Sequence, residues 1–283
     1  MPKRIKQLTK DEVINTALPQ HASTYTVIPH SFVITETENQ LKQAGFEVER
    51  ETYRGNDNNQ VVSCTMHLKA GDDSDMKMMF AWANSYDKSM RFKCAIGGYL
   101  PQSQSVIVSG NMGTWGRKHT GTADTETKDT IAEQISKASS YYDNLVKDKE
   151  SMKSVILTKT AKAQLAGVLY IEHGLLTGEQ LGILKEQIRK PAYNYSGDKD
   201  SLWVFYCNII YTLQRSHPRS WLDQQRIIHW FLTDSYQIFN EPKDNNINLA
   251  DPGISETINP NQITIDQVIA EENNKESAID HSL

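Results

Sequence analysis

Between residues 46 and 96 apolar and polar side chains alternate with a period of two, and this limits the architecture more than any other feature. In residues 60–68, Val62, Cys64, Met66 and Leu68 alternate with Ser63, Thr65 and His67. Successive strand residues point to opposite faces, so one face of this strand is predicted to be buried and the other polar. Residues 46–54 read as the preceding strand, joined through the turn GNDNN at 55–59. After the turn AGDDSD at 70–75, Met78, Phe80 and Trp82 give the apolar face of a third strand, with small Ala81 and Ala83 opposite. Tyr86, Asp87 and Lys88 turn the chain into a fourth strand, where Met90, Phe92, Cys94 and Ile96 point inward and Arg91 and Lys93 outward. Gly97, Gly98 and Pro101 are expected to break that strand, and residues 106–108 to form a short one. Gly110, Gly113 and Gly116 make the next loop glycine-rich.

Helices flank this meander. Thr9 and Glu12 have the capping-box spacing, in which a hydroxyl and a carboxylate satisfy each other's orphan amides, and predict a helix to residue 18. Residues 24–34 are β-branched and aromatic and read as an edge strand, or two short pieces, because Pro29 cannot donate to a ladder. A second capping box at Thr35 and Glu38 predicts a helix ending at Gly45. Beyond residue 121, Ile131, Ile135, Ala138, Tyr142 and Leu145 recur at spacings of four and three, the stripe of an amphipathic helix. Further helices are expected over 155–173, from the capping box at Thr177 to Pro191, and over 201–216 and 221–239. The fold class is therefore α+β: an antiparallel β-meander with flanking helices, a helical C-terminal half, and a disordered acidic tail. The segments are 1–122 (sheet), 123–240 (helices packed on or beside it) and 241–283 (tail).

Charge separates body from tail. Residues 241–283 hold nine acidic and two basic residues, net −7, which leaves 26 acidic and 28 basic residues in 1–240, net +2. Hydrophobic content of 38% and charged content of 23% fit a folded chain rather than a disordered one. No apolar run approaches the roughly 20 residues that span a bilayer, and the N-terminal MPKRIKQLTKDEV has no apolar signal segment. Cys64, Cys94 and Cys207 are odd in number and far apart, which argues against disulfides and suggests a reducing cytoplasm, that of the host if the protein is phage-encoded.

Catalytic patterns are absent. No HExxH, GxSxG or phosphate-loop motif occurs, and the eight histidines have no metal-ligand spacing. No catalytic residue, metal or cofactor is assigned and no enzyme is expected. Asp72, Asp73 and Asp75 could serve a nuclease only by converging on a metal, and in a turn with Gly71 and Ser74 they fit backbone bonding. Glu47, Glu49 and Glu51 read as a solvated face or as cross-strand partners, and His67 as a hydrogen-bonded structural histidine. The positive signal lies between residues 88 and 119, with five Lys or Arg and no acidic residue. Lys88, Arg91, Lys93, Arg117, Lys118 and His119 are candidates for phosphate contact, and Tyr86 and Trp115 for base stacking. Two readings of Arg91 and Lys93 stay open, a nucleic-acid surface or ion pairs with the Glu47 face.

At these residues the chain also resembles a known family. WANSYDKSMRFKCAIGGY (82–99) is similar to the NSHDGS-type strand-turn-strand of the phage- and plasmid-encoded domain-of-unknown-function family 932. GRKHTG (116–121) resembles that family's basic segment after its glycine loop, and residues 202–221 its late "YNAxTE"-type helix. Tyr86 and Lys88 stand where the family has His and Gly. The resemblance, over roughly 27–239, implies a phage or mobile-element protein in the neighbourhood of replication and recombination, and brings no established activity. The arrangement is also similar to single-strand annealing proteins of the recombination-mediator type, as fold analogy.

These readings converge on a non-enzymatic protein that binds single-stranded DNA as a homo-oligomer, to protect or anneal it. The acidic tail would regulate it or recruit replication and recombination proteins, and no membrane is involved. The alternative is a protein-interaction module, an anti-defence or virion-associated factor, presenting Trp203, Trp221 and Trp230.

Overall fold

The period-two segments pair in chain order. The computed structural model of the protein describes residues 5–19, 27–109, 115–117 and 123–240. Within them an antiparallel sheet runs β1 (Lys6–Leu8), β2 (Val48–Gly55), β3 (Val61–Leu68), β4 (Lys77–Ser85), β5 (Phe92–Leu100) and β6 (Ser105–Ile107), and β7 (Trp115–Arg117) also pairs with β5. The central register aligns Cys64 with Trp82 and Trp82 with Cys94, so the apolar positions of three strands share one face.

Both faces of the sheet are covered. Cys64, Met66, Phe80, Trp82, Phe92, Cys94 and Ile96 join the main core, while Val61, Met79, Ala81, Ala83, Ala95 and Tyr99 form a second cluster on the opposite face. The polar face expected for β3 is thus a buried face, with Ser63 and His67 nearly as enclosed as Cys64. Small Ala81, Ala83 and Ala95 leave room there for Trp221 and Leu222.

Eight α-helices are described: α1 (Lys10–Ile14), α2 (His30–Gln43), α3 (Ala123–Ser136), α4 (Ala138–Ser154), α5 (Lys159–Gly167), α6 (Gly178–Arg189), α7 (Leu202–Thr212) and α8 (Trp221–Asn240). The Thr9 and Thr177 capping boxes both form, Thr9 N–H donating to Glu12 Oε2 at 2.7 Å and Thr177 N–H to Gln180 Oε1 at 2.9 Å. Helix α1 nevertheless stops at Ile14, because Val13 is its one buried residue and Leu18 is exposed. The described residues up to Asn240 form one compact unit in which helices and sheet share the main core. The tail at 241–283 lies outside the described residues, as do Gly110 and Gly113 of the glycine loop.

Several expectations are corrected. Residues 30–34, read as strand, open α2, with Pro29 at its N-cap, so the Thr35–Glu38 pair lies inside the helix. Val33, Ile34, Thr37 and Leu41 are buried at helical spacing, and that stripe outweighs the β-propensity of the β-branched residues. Helix α2 does end where expected, with Gly45 at φ +83°, a conformation that glycine adopts without strain. Gly97 and Gly98 do not break β5, which continues to Leu100. A Cβ on Gly97 would sit 2.1 Å from the Ile107 carbonyl oxygen, so the glycine permits close strand approach instead. The single helix expected over 131–145 is two, interrupted at Lys137, yet its five stripe residues are all buried. Residues 155–158 are not helical: Ile156 bridges to Ser201, and α5 starts after Thr158, whose Oγ1 accepts from Ala161 N–H at 3.1 Å.

Candidate nucleic-acid interface

Backbone pairing brings Trp115–Arg117 alongside the strand that carries Lys93. β7 lies antiparallel to the first half of β5, with Arg117 opposite Phe92, Gly116 opposite Lys93 and Trp115 opposite Cys94. β6 pairs with the second half of the same strand, at Gly98 to Leu100. Residues 25 positions apart in the chain, Phe92 and Arg117, are therefore cross-strand neighbours. Lys118 and His119 lie outside the described residues.

On the β4–β5 connection Lys88 is exposed and holds φ +60°, a left-handed turn position. Arg91 is half-buried. Lys93 is further enclosed, its side chain 16% exposed, and its Nζ makes an ion pair with Asp223 of α8. This partner is not the Glu47 face: Glu47 pairs with Lys69 and Glu51 with Lys10. Sequence reading missed Asp223, 130 positions away, because nothing local marks it.

Tyr86 corrects the stacking assignment. It is 4% exposed, and its ring lies on that of His30 with centroids 3.9 Å apart and planes 8° from parallel. Its Oη accepts the His30 backbone N–H at 2.7 Å, one of the amides that open α2. Burial pushes its phenol pKa up, against the smaller opposing effect of that hydrogen bond. With its ring packed in the interior, Tyr86 cannot stack on a base. Its neighbours anchor the same junction: Asn84 Nδ2 donates to Ile28 O at 2.8 Å, and Ser85 Oγ to Met90 O at 3.0 Å. The NSYDKS segment is thus a brace between the β4–β5 turn and the start of α2.

Two residues of the acidic cluster, Asp73 and Asp75, hold the fold together. Asp73 Oδ1 accepts from the Asp75 and Met76 amides, both at 2.9 Å, while Asp73 and Asp75 make ion pairs with Lys149, which is 2% exposed. Ser196 Oγ also donates to Asp75, at 2.5 Å. Burial favours the neutral acids, but these bonds outweigh it and hold both carboxyls below their usual range. Among the described residues no group of three or more His, Cys, Asp or Glu is placed to hold a metal ion. The three cysteines are buried and unbridged. Trp203 and Trp221 are buried in the two cores, so they do not form an exposed aromatic surface, and Trp230 is half-buried. No helix among the described residues is long and apolar enough to cross a membrane.

Compared with known proteins, the chain matches no family model, no curated protein and no solved structure.

Proposed function

We propose that the protein binds single-stranded nucleic acid along the β5–β7 edge, as a non-enzymatic protein of phage or mobile-element replication or recombination. The observation that carries this reading is the register that lays β7 along β5, with position 117 opposite inward-facing Phe92 and Gly116 opposite Lys93, so that the two halves of the basic run meet along a strand edge from opposite faces of the sheet. It adds the second half of the basic run to the strand that bears the first. Lys88, Arg91 and Arg117, with Lys118 and His119 following in sequence, supply the cations for phosphate. Trp115 is the stacking candidate, and Lys93 contributes when a phosphate replaces Asp223. The acidic residues of 241–283 compete with the strand for the same cations, and the body's net charge of +2 leaves them a target.

Fluorescence anisotropy with a labelled poly-dT oligonucleotide tests this. Binding is expected at about 50 mM salt and should weaken steeply as salt rises. Arg91→Ala and Arg117→Ala should each weaken it and flatten the salt slope by about one. A chain ending at Asn240 should bind more tightly. Undetectable affinity at about 50 mM salt would falsify the reading. A parallel titration with poly-rU separates DNA from RNA preference.

A further inference from the structure

On the sheet face away from the main core, a cleft of about 290 Å³ separates the strands from the link between α7 and α8. Its floor is the β2–β3 pair, where Arg50 faces His67 and Thr52 faces Thr65 across the strands, with Arg54 one step further along β2. Trp221 and Gln225, one turn apart at the start of α8, line it from above. Among the described residues no acidic side chain lines the cleft, although two guanidinium groups do.

The partners of those guanidinium groups are neutral. Arg54 donates to the backbone carbonyls of Gln214 at 2.7 Å and Ser216 at 2.8 Å, which fixes a largely buried charge in place. Arg50 is exposed at the rim and bonds Gln104 Oε1 and His67 Nε2, the latter at 3.3 Å. A guanidinium only donates, so Nε2 is the acceptor and the imidazole proton resides on Nδ1. Burial, with the Arg50 charge adding to it, keeps the ring neutral and pulls its pKa down to about 4. His67 Nδ1 is buried without a partner, as are Trp221 Nε1 and Gln225 Oε1, and each of these residues is at most 3% exposed. Buried polar atoms are nearly always paired. Two N–H donors and one acceptor without a protein partner thus belong to residues that line a cleft with two guanidinium groups.

We propose that this cleft binds a small organic anion. Its phosphate or carboxylate lies against Arg50, with the Arg54 charge behind, and its body accepts from His67 Nδ1 and Trp221 Nε1 and donates to Gln225 Oε1. The cleft uses none of the residues assigned to nucleic acid, so this site and the β5–β7 edge stand or fall separately.

The test is a titration of the ¹⁵N-labelled full chain followed at the Trp221 indole N–H, assigned by its disappearance in Trp221→Phe. The probes are AMP, citrate and inorganic phosphate, in chloride buffer. A saturable shift with AMP alone identifies a phosphate ester, and with citrate alone a carboxylate. Either should lose about tenfold or more in affinity in Arg50→Ala, since a charge-assisted contact is removed. Arg50 is exposed, so that variant should keep the native spectrum, and Arg91→Ala should bind as the parent does. Inorganic phosphate binding as tightly as AMP overturns the organic part of the proposal. No saturable shift with any probe, as when water alone occupies the cleft, overturns all of it. A shift retained at full affinity in Arg50→Ala does the same.

Discussion

A neutral imidazole kept out of water ties the stability of the fold to pH. The pKa of His67 is held at about 4 by burial and by the Arg50 charge, whereas in an unfolded chain it lies near ~6.5. The folded value is the lower one, so the unfolded chain takes up the proton first as pH falls. The stabilisation is therefore complete above ~6.5 and is lost between there and about 4, at up to ~1.4 kcal/mol per pH unit. Urea midpoints measured at pH 7.5 and pH 5 should show this loss in the parent and a smaller one in His67→Asn; equal losses would mean that another group titrates. Asp73 and Asp75 act in a lower window. Their folded pKa values are depressed, so their contribution is present above the ordinary carboxylate range and disappears as pH falls through it and below. Glycine at 97 is a residue-level constraint of another kind. Gly97→Ala drives a methyl into the Ile107 carbonyl, which is backbone and cannot swing aside, and should cost about 1–3 kcal/mol or more in denaturant unfolding. Gly167→Ala is the matched control: no atom lies within 4 Å of its added Cβ, and stability should hold or rise by about 0.5–1 kcal/mol.

Helix α2 depends on a strand connection far from it in sequence. Its N-cap is Pro29, which provides no side-chain cap, and the His30 amide is satisfied instead by Tyr86 Oη. Tyr86→Phe keeps the stacked ring and removes only that acceptor. A buried amide left unpaired costs about 1–3 kcal/mol, so the thermal midpoint should fall by several degrees while oligonucleotide affinity of the folded protein stays as it was. The opposite outcome, unchanged stability with lost binding, would return Tyr86 to the interface. The β4–β5 turn is accordingly a structural joint as well as the place where Lys88 is displayed.

For the molecule as a whole, the helical half sets how much of the sheet's charge is available. Asp223, in the first turn of α8, neutralises Lys93 on β5. Asp223→Asn keeps the side chain's shape and releases the lysine. Affinity for poly-dT at low salt should increase, and its salt slope should steepen by about one phosphate contact. An affinity that falls instead would show that the ion pair positions the strand for binding rather than restraining it.

Much of this was legible in sequence because it is local. Alternation found β2 to β5, the Thr9 and Thr177 boxes found two helix starts, and Gly45 found a helix end. Each signal involves residues a few positions apart, where backbone geometry alone decides which side chains meet. Local signals failed where distant partners intervened. Pro29 and the β-branched residues after it suggested a strand until Tyr86 and the core received them as a helix. Gly97 suggested a break until Ile107 came close. His67 suggested a polar face until Tyr99 of β5 packed edge-on against its ring. The basic run was readable by composition, yet which cations are neutralised was decided by contacts such as Lys93 with Asp223. The sequence by itself determined the elements and their apolar faces. Only the tertiary structure decided what covers each face and which charge meets which, since those pairings join residues from ten to 130 positions apart and leave no periodic trace.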